Sequence, residues 1–184
     1  MKTYSDVADR ILLEEHSLAK LLPSEPLDYG AVQRLRVADE AALSGQRPIG
    51  NREMFALVRG GLFYALDSLP EAHAIFQDAK TDLGSYWHGM LHRREGDFDN
   101  ARYWFRRAGV LPFFGELHRA ASACSALMAR QSQWDPYTFT GQCEQARFGE
   151  TDSLSELSSL QRAEFETLFD YCWRQSDLGS SPTA

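Results

Sequence analysis

Residues 82–109 read DLGSYWHGMLHRREGDFDNARYWFRRAG and predict two helices joined by a tight turn. Thr81 or Asp82 can cap the first helix, because the side-chain oxygen of either residue can accept a hydrogen bond from a free backbone N–H of the first turn. Gly96 is typical of a helix C-terminus, since glycine adopts the left-handed backbone there without strain. The second helix is shorter and is predicted to end at Ala108, where Gly109 closes the pair.

The helical pattern of this segment extends over nearly the whole chain. Apolar residues recur every three or four positions, and no alternating strand-like run is followed by an Asn-Gly or Asp-Gly turn. We therefore predict an all-α fold, an irregular helical bundle of about eight helices, with continuous helices at 29–44 and 113–128. Residues 1–175 are expected to form a single helical domain. Residues 176–184 are small and polar and are predicted to be a flexible C-terminal tail.

The charge balance bears on the class of partner. The 184 residues include 26 acidic and 19 basic side chains, which leaves a net charge of −7. Such a charge opposes general attraction to nucleic acid or to anionic lipid, so we expect neither as a partner. No apolar run approaches the roughly 18 residues that a membrane span needs, and the first residues show no secretory signal. We therefore expect a cytoplasmic, soluble protein.

Five small or aromatic residues of the quoted segment have counterparts 29 residues earlier. The later set is Gly89, Phe98, Ala101, Phe105 and Ala108, and the earlier set is Gly60, Leu69, Ala72, Phe76 and Ala79. This spacing resembles the tetratricopeptide repeat, a family of antiparallel helix pairs in which small residues permit close packing. The resemblance implies a tetratricopeptide-like helix-pair core of one or two degenerate repeats, with a groove for a protein partner.

The pattern also departs from that family. The offset is 29 residues where the family has 34, and Asp67 stands where the second copy has Gly96. An irregular bundle without true repeats is therefore the alternative. Residues 88–107 are also similar to a stretch found in a family of bacterial proteins, a resemblance that implies no particular activity.

One stripe of the first quoted helix carries His88, His92 and Glu95, at positions i, i+4 and i+7. Two imidazoles one turn apart can bind one divalent metal ion, and Glu95 could complete or orient the shell. His73 and His118 are reserve ligands if the helix pairs stack side by side. In the alternative interpretation His88 and His92 are structural, partly buried and hydrogen-bonded, with Glu95 paired to Arg93, to Arg94 or to the short helix beyond the turn. We predict no cofactor from the sequence. A divalent metal ion bound by the histidine stripe is the alternative.

A basic and aromatic surface is the second candidate site. Its expected members are Arg93, Arg94, Arg102, Tyr103, Trp104, Arg106 and Arg107. Guanidinium groups bind carboxylate or phosphate in bidentate fashion, and the aromatic rings offer stacking faces, so an acidic segment of a protein would suit this surface. The alternative is a solvated helix face whose arginines pair with nearby acids such as Asp97 and Asp99.

The leading functional hypothesis from the sequence is a protein-interaction module or scaffold of helical-repeat type, with the basic and aromatic surface as its recognition face. The alternative is a metal- or small-ligand-binding protein centred on His88 and His92, a class that includes enzymes. No catalytic residue is assigned, and the sequence favours a protein that is not an enzyme. A homodimer is a further option, through exposed aromatic residues such as Trp104, Phe113, Phe114 or Trp134.

Overall fold

The computed structural model describes residues 4–13, 17–149 and 154–177. These residues form eleven helices and no strand, which confirms the all-α class. The helices are α1 (Asp6–Leu12), α2 (Tyr29–Val37), α3 (Glu40–Ser44), α4 (Arg52–Ala65), α5 (Leu69–Phe76), α6 (Asp82–Glu95), α7 (Phe98–Ala108), α8 (Phe114–Cys124), α9 (Ala126–Ala129), α10 (Pro136–Arg147) and α11 (Leu154–Asp177). None of these helices is both long and apolar enough to cross a membrane.

Two of the predicted helices are each divided by a capping residue. The side chain of Asp39 accepts a hydrogen bond from the backbone N–H of Ala42, at 2.8 Å. That of Ser125 accepts one from the N–H of Met128, at 3.3 Å. Because such side chains satisfy the free N–H groups of a new first turn, they start α3 and α9 in place of a continuous helix. The bundle therefore has more and shorter helices than the apolar periodicity predicts.

The last helix passes the expected end of the domain at residue 175. Ser176 is buried, and its carbonyl oxygen accepts hydrogen bonds from the backbone N–H groups of Gly50 and Asn51, at 2.9 and 3.0 Å. Residues 176 and 177 therefore belong to the folded unit. The rest of the predicted tail, 178–184, lies outside the described residues.

The core is centred where α4, α6 and α11 meet. Tyr64, Trp87 and Phe165, one from each helix, are buried and in mutual contact, with ring centroids 5.7 to 5.9 Å apart. Aromatic pairs at such distances add about 0.5–1.5 kcal/mol each beyond the burial of their area. This cluster anchors α6, the helix that carries His88 and His92.

Two glycines make equivalent close contacts in successive helix pairs. A Cβ atom on Gly60 of α4 would lie 2.4 Å from Cε1 of Phe76 in α5. A Cβ atom on Gly89 of α6 would lie 2.7 Å from Cδ1 of Phe105 in α7. Gly89 and Phe105 each follow Gly60 and Phe76 by 29 residues, so the offset in the sequence reproduces this one glycine–phenylalanine contact.

The aromatic residues expected at a dimer face are mostly buried inside the chain. Phe113, Phe114 and Trp134 are all buried, and the indole Nε1–H of Trp134 donates to the hydroxyl of Tyr86 at 2.7 Å. Only Trp104 of the expected set is half-buried. The three buried side chains are therefore unavailable to a second copy of the chain, because the core of α6, α8 and α10 already uses them.

Candidate metal centre

Three histidines from two neighbouring helices meet in one cluster. One ring nitrogen of each of His73, His88 and His92 lies within 4.8 Å of the other two. Nε2 of His73 and Nε2 of His88 are 2.9 Å apart, and the stacked rings of His88 and His92 have centroids 4.7 Å apart. His73, a reserve ligand in the sequence interpretation, is therefore a member of the cluster. His118 is engaged elsewhere, since its Nε2–H donates to the carbonyl oxygen of Met128 at 3.2 Å.

The arrangement follows from local sequence. His88 and His92 are one turn apart on α6, so their side chains project in the same direction. Only the five residues 77–81 connect α5 to α6, and helices joined by so short a segment lie side by side. His73 of α5 therefore faces the histidine stripe of α6.

Glu95 contacts the opposite edge of two of the rings. Its Oε2 lies 2.9 Å from Nδ1 of His92, and its Oε1 lies 3.6 Å from Nδ1 of His73. A carboxylate close to Nδ1 of His92 favours the tautomer with the proton on that nitrogen, which leaves the lone pair of Nε2 free for a metal ion. Glu95 is thus placed to orient ligands, one of the two roles left open by the sequence. Among the described residues its ion-pair partners are His92 and His73, and neither Arg93 nor Arg94, which the structural alternative named with the short helix beyond the turn.

Burial and neighbouring charge keep His88 neutral. Its pKa is lowered from 6.5 to about 4, mainly because burial disfavours the charged ring and further because His92 and His73 are close. The neutral ring is the form that binds a metal. Among the described residues its Nδ1 has no hydrogen-bond partner although it is buried, an arrangement that typically costs about 1–3 kcal/mol. The cluster is therefore not a fully satisfied hydrogen-bond network.

Helix α7 forms one wall of the cluster and leaves another side open. The ring of Trp104 stacks on that of His88, with centroids 4.0 Å apart, and Nδ2 of Asn100 lies 3.2 Å from Nε2 of His92. On the other side about a third of the His73 and Glu95 side chains is exposed, at 33% and 30%. Solvent or a small ligand can therefore reach the cluster beside α5.

The geometry is close to that of a coordination shell. Metal–imidazole bonds of about 2.0–2.1 Å in a tetrahedral site place ligand nitrogens about 3.3 Å apart. The 2.9 Å between Nε2 of His73 and Nε2 of His88 is near that value. The widest separation is at most 4.8 Å, so the ligand atoms would need to approach by no more than about 1.5 Å, which lies within the reach of side-chain rotation.

The predicted basic surface does not form as expected, because Arg93 and Arg94 are each only 1% exposed. Arg93 pairs with Glu164 of α11, and Arg94 pairs with Asp67 in the turn after α4. Both guanidinium groups therefore hold α6 within the bundle and cannot contact a partner. From the sequence, Arg93 and Arg94 were expected to face solvent. In the structure, α6 is buried on nearly every face.

The remaining members of that surface divide into three groups. Arg102 pairs with Asp99 at 3.2 Å and with Glu144 of α10, as the solvated-face alternative anticipated for an arginine with acidic neighbours. Trp104 turns toward His88. Tyr103, Arg106 and Arg107 stay exposed on the outer face of α7. These three exposed side chains are what remains of the predicted basic and aromatic surface.

The chain matches no protein-family model, no curated protein and no solved structure.

Proposed function

We propose that this protein binds one divalent transition-metal ion through Nε2 of His73, His88 and His92. The observation that carries the proposal is the convergence of three imidazole nitrogens within 4.8 Å. Glu95 supports it through the 2.9 Å contact of its Oε2 with Nδ1 of His92, because an outer carboxylate can orient a ligating ring. Imidazole ligands suit zinc, copper, iron and nickel.

The proposed centre is of the open type. Structural zinc sites are closed by four protein ligands, whereas catalytic sites use three and keep a position for water or substrate. Three histidine ligands beside a solvent-accessible edge correspond to the arrangement of a catalytic site. A metal ion held in this way can lower the pKa of a bound water molecule or polarise a small ligand. We therefore place the chain with metal- or small-ligand-binding proteins, a class that includes metal-dependent enzymes.

Metal content distinguishes this proposal from a purely structural cluster. Protein purified without chelator, or loaded with Zn²⁺ and then dialysed, is expected to hold one equivalent of metal by mass spectrometry. His88→Ala should lose it, because the variant removes one of three ligands. His118→Ala is the matched control and should retain it, since His118 contacts the carbonyl oxygen of Met128. Equal metal content in the two variants, or none in the wild type after loading, would refute the proposal.

We also propose that α4–α5 and α6–α7 are two degenerate tetratricopeptide-like repeats that hold this centre between them. The repeated contact of Gly60 with Phe76 and of Gly89 with Phe105 supports this. His73 belongs to the second helix of one pair, and His88 belongs to the first helix of the next. The site would then lie in the groove where consecutive pairs stack.

Equivalent repeats predict equivalent costs for filling the two glycine contacts. Gly60→Ala and Gly89→Ala are each expected to lower the free energy of unfolding by about 1–2 kcal/mol, because the phenyl rings that they meet are buried. Gly115→Ala in α8 is the control, since a Cβ there meets nothing within 4 Å. It should be neutral or stabilise by up to about 1 kcal/mol through helix propensity. Urea denaturation measures all three, and a large cost at only one of the two contacts would contradict equivalence.

A further inference from the structure

A cavity of about 880 Å³ lies between α1, α2 and α3. Neither Glu95 nor the histidine cluster takes part in its lining. Cavities that hold small molecules in proteins measure about 300–1,000 Å³ and are lined mainly by apolar side chains. The apolar lining of this cavity includes Val7, Ile11, Ala31, Leu35, Ala38 and Ala42. The cavity therefore has the size and much of the surface of a small-molecule site.

Contacts with the rest of the bundle hold the walls of this cavity apart. The guanidinium group of Arg59 in α4 donates to the carbonyl oxygens of Leu35 and Arg36 in α2, at 3.2 and 2.9 Å. Where α1 and α3 meet, a Cβ atom on Gly45 would lie 3.3 Å from Cβ of Ser5, the residue that caps α1. These contacts fix the three helices in place, so the space between them exists without a ligand.

Two arginines from different walls give this cavity a positive charge. Arg10 of α1 and Arg34 of α2 both line it and are both exposed. Arg10 forms no side-chain ion pair with any residue that the structure describes. Arg34 lies 3.5 Å from Asp28, and these side chains are 74% and 45% exposed, so that pair contributes little. Asp6 is the single acid among the lining residues, which leaves an excess of positive charge in a chain of net charge −7.

We propose that this cavity binds an aliphatic carboxylate, with its hydrocarbon chain against the apolar lining and its carboxylate at Arg10 and Arg34. Each methylene group removed from water strengthens binding by about fourfold. Guanidinium groups bind carboxylates in bidentate fashion. An inorganic anion would leave the apolar lining unused, and an aliphatic amine would meet charges of its own sign. This site is separate from the proposed metal centre, so neither proposal depends on the other.

Calorimetric titration with three probes of equal chain length tests the assigned chemistry. Decanoate, decanol and decyltrimethylammonium differ in the charge of the head group and are used below the concentrations at which they form micelles. At low ionic strength the wild-type protein is expected to bind decanoate about tenfold more tightly than decyltrimethylammonium, with decanol between them. Added salt should reduce this difference, because it screens exposed charges.

Two substitutions, each with a matched control, locate the bound molecule. Arg10→Gln combined with Arg34→Gln should weaken decanoate binding about tenfold and leave decanol binding unchanged. Arg130→Gln, at an exposed arginine outside the cavity, should match the wild type with both probes. Ala38→Phe places a ring in the cavity and should abolish the binding of decanoate and of decanol. Ala123→Phe, at an exposed alanine of α8, should leave both unchanged.

Decanoate binding that survives Ala38→Phe would overturn the inference, as would a wild-type protein that binds no decanoate. Equal affinities for decanoate and decyltrimethylammonium would also overturn it. Ala42→Phe, at an exposed position of α3, repeats the test if Ala38→Phe fails to fold, as judged by circular dichroism. A second copy of the chain in the cavity would give a wild-type dimer by light scattering and a monomeric Ala38→Phe, a result that excludes the carboxylate as occupant.

Discussion

Glu164→Ala is expected to lower the free energy of unfolding by about 3–5 kcal/mol, the usual cost of breaking a buried ion pair from one side. The Glu164 side chain is fully buried and pairs with Arg93, which is 1% exposed. Oε1 of Glu164 also accepts a hydrogen bond from the hydroxyl of Tyr86 at 2.7 Å. Alanine would leave the Arg93 cation against the ring of Phe139, 4.2 Å from its centroid, without a counter-charge.

Two further variants show whether the buried charge is the cause. Glu166→Ala lies two residues away on α11, where the side chain is 59% exposed and pairs with Arg162, so it should cost less than about 1 kcal/mol. Arg93→Met combined with Glu164→Leu removes both charges and should recover most of the lost stability. Urea denaturation gives all the values. Similar costs for Glu164→Ala and Glu166→Ala would show that the pair contributes little.

This ion pair also bears on the candidate site. Arg93 follows His92 directly in α6, and Arg94 is held by Asp67 and by the carbonyl oxygen of Tyr64 at 2.8 Å. The two arginines fix the rotation of α6 about its axis. The opposite stripe of the same helix then presents His88 and His92 to α5 and α7.

Acidification from pH 7 to pH 4 is expected to cost the metal-free protein about 2 kcal/mol through His88 alone. The pKa of His88 is about 4 in the folded protein and about 6.5 in an unfolded chain. Between these values the unfolded chain binds the proton more strongly, so stability is complete above pH 6.5 and is lost as the pH falls toward 4. The full shift would correspond to about 3.4 kcal/mol, and solvent screening at the edge of the cluster reduces it.

Comparison of His88→Asn with the wild type isolates this contribution. Urea denaturation at pH 7, 5 and 4 should show a smaller loss of stability in His88→Asn than in the wild type, because the variant has no ring to protonate. His118→Asn is the control and should follow the wild type. A His88→Asn protein with the same pH dependence as the wild type would contradict the assigned cause.

The sequence was sufficient for the fold class and for the helix pair that carries the site. Thr81 caps α6 by accepting from the N–H of Gly84 at 3.1 Å, and Gly96 ends it with a φ of 77°. Both follow from residue types whose preferences are local. The division of helices at Asp39 and Ser125 was missed because apolar periodicity continues across each cap.

The site was predicted only in part, because spacing along one helix says nothing about the next. His88, His92 and Glu95 were recognised as one stripe, whereas His73 was only a reserve ligand. Its membership depends on how α5 packs on α6, and Asn100 likewise reaches the cluster only through the packing of α7. The sequence did contain an indication that His73 belongs to the cluster, because this histidine lies in the helix that directly precedes the helix with His88 and His92.

The assignment of Arg93 and Arg94 to an exposed surface was wrong for a related reason. Their acidic partners lie 71 and 27 residues away in the sequence, in Glu164 and Asp67. No short-range pattern connects a pair at such separations. Buried arginines are rare enough that solvent exposure is the default expectation, and only the tertiary structure corrects it.

The proposed metal centre can be tested by an anomalous difference map from crystals of the protein loaded with Zn²⁺. A bound ion is expected to give a single strong peak about 2.0–2.1 Å from Nε2 of His73, His88 and His92, with Glu95 on the Nδ1 edges of His73 and His92. A map without a peak there, with Nε2 of His73 still hydrogen-bonded to Nε2 of His88, would contradict it and leave the cluster a structural feature.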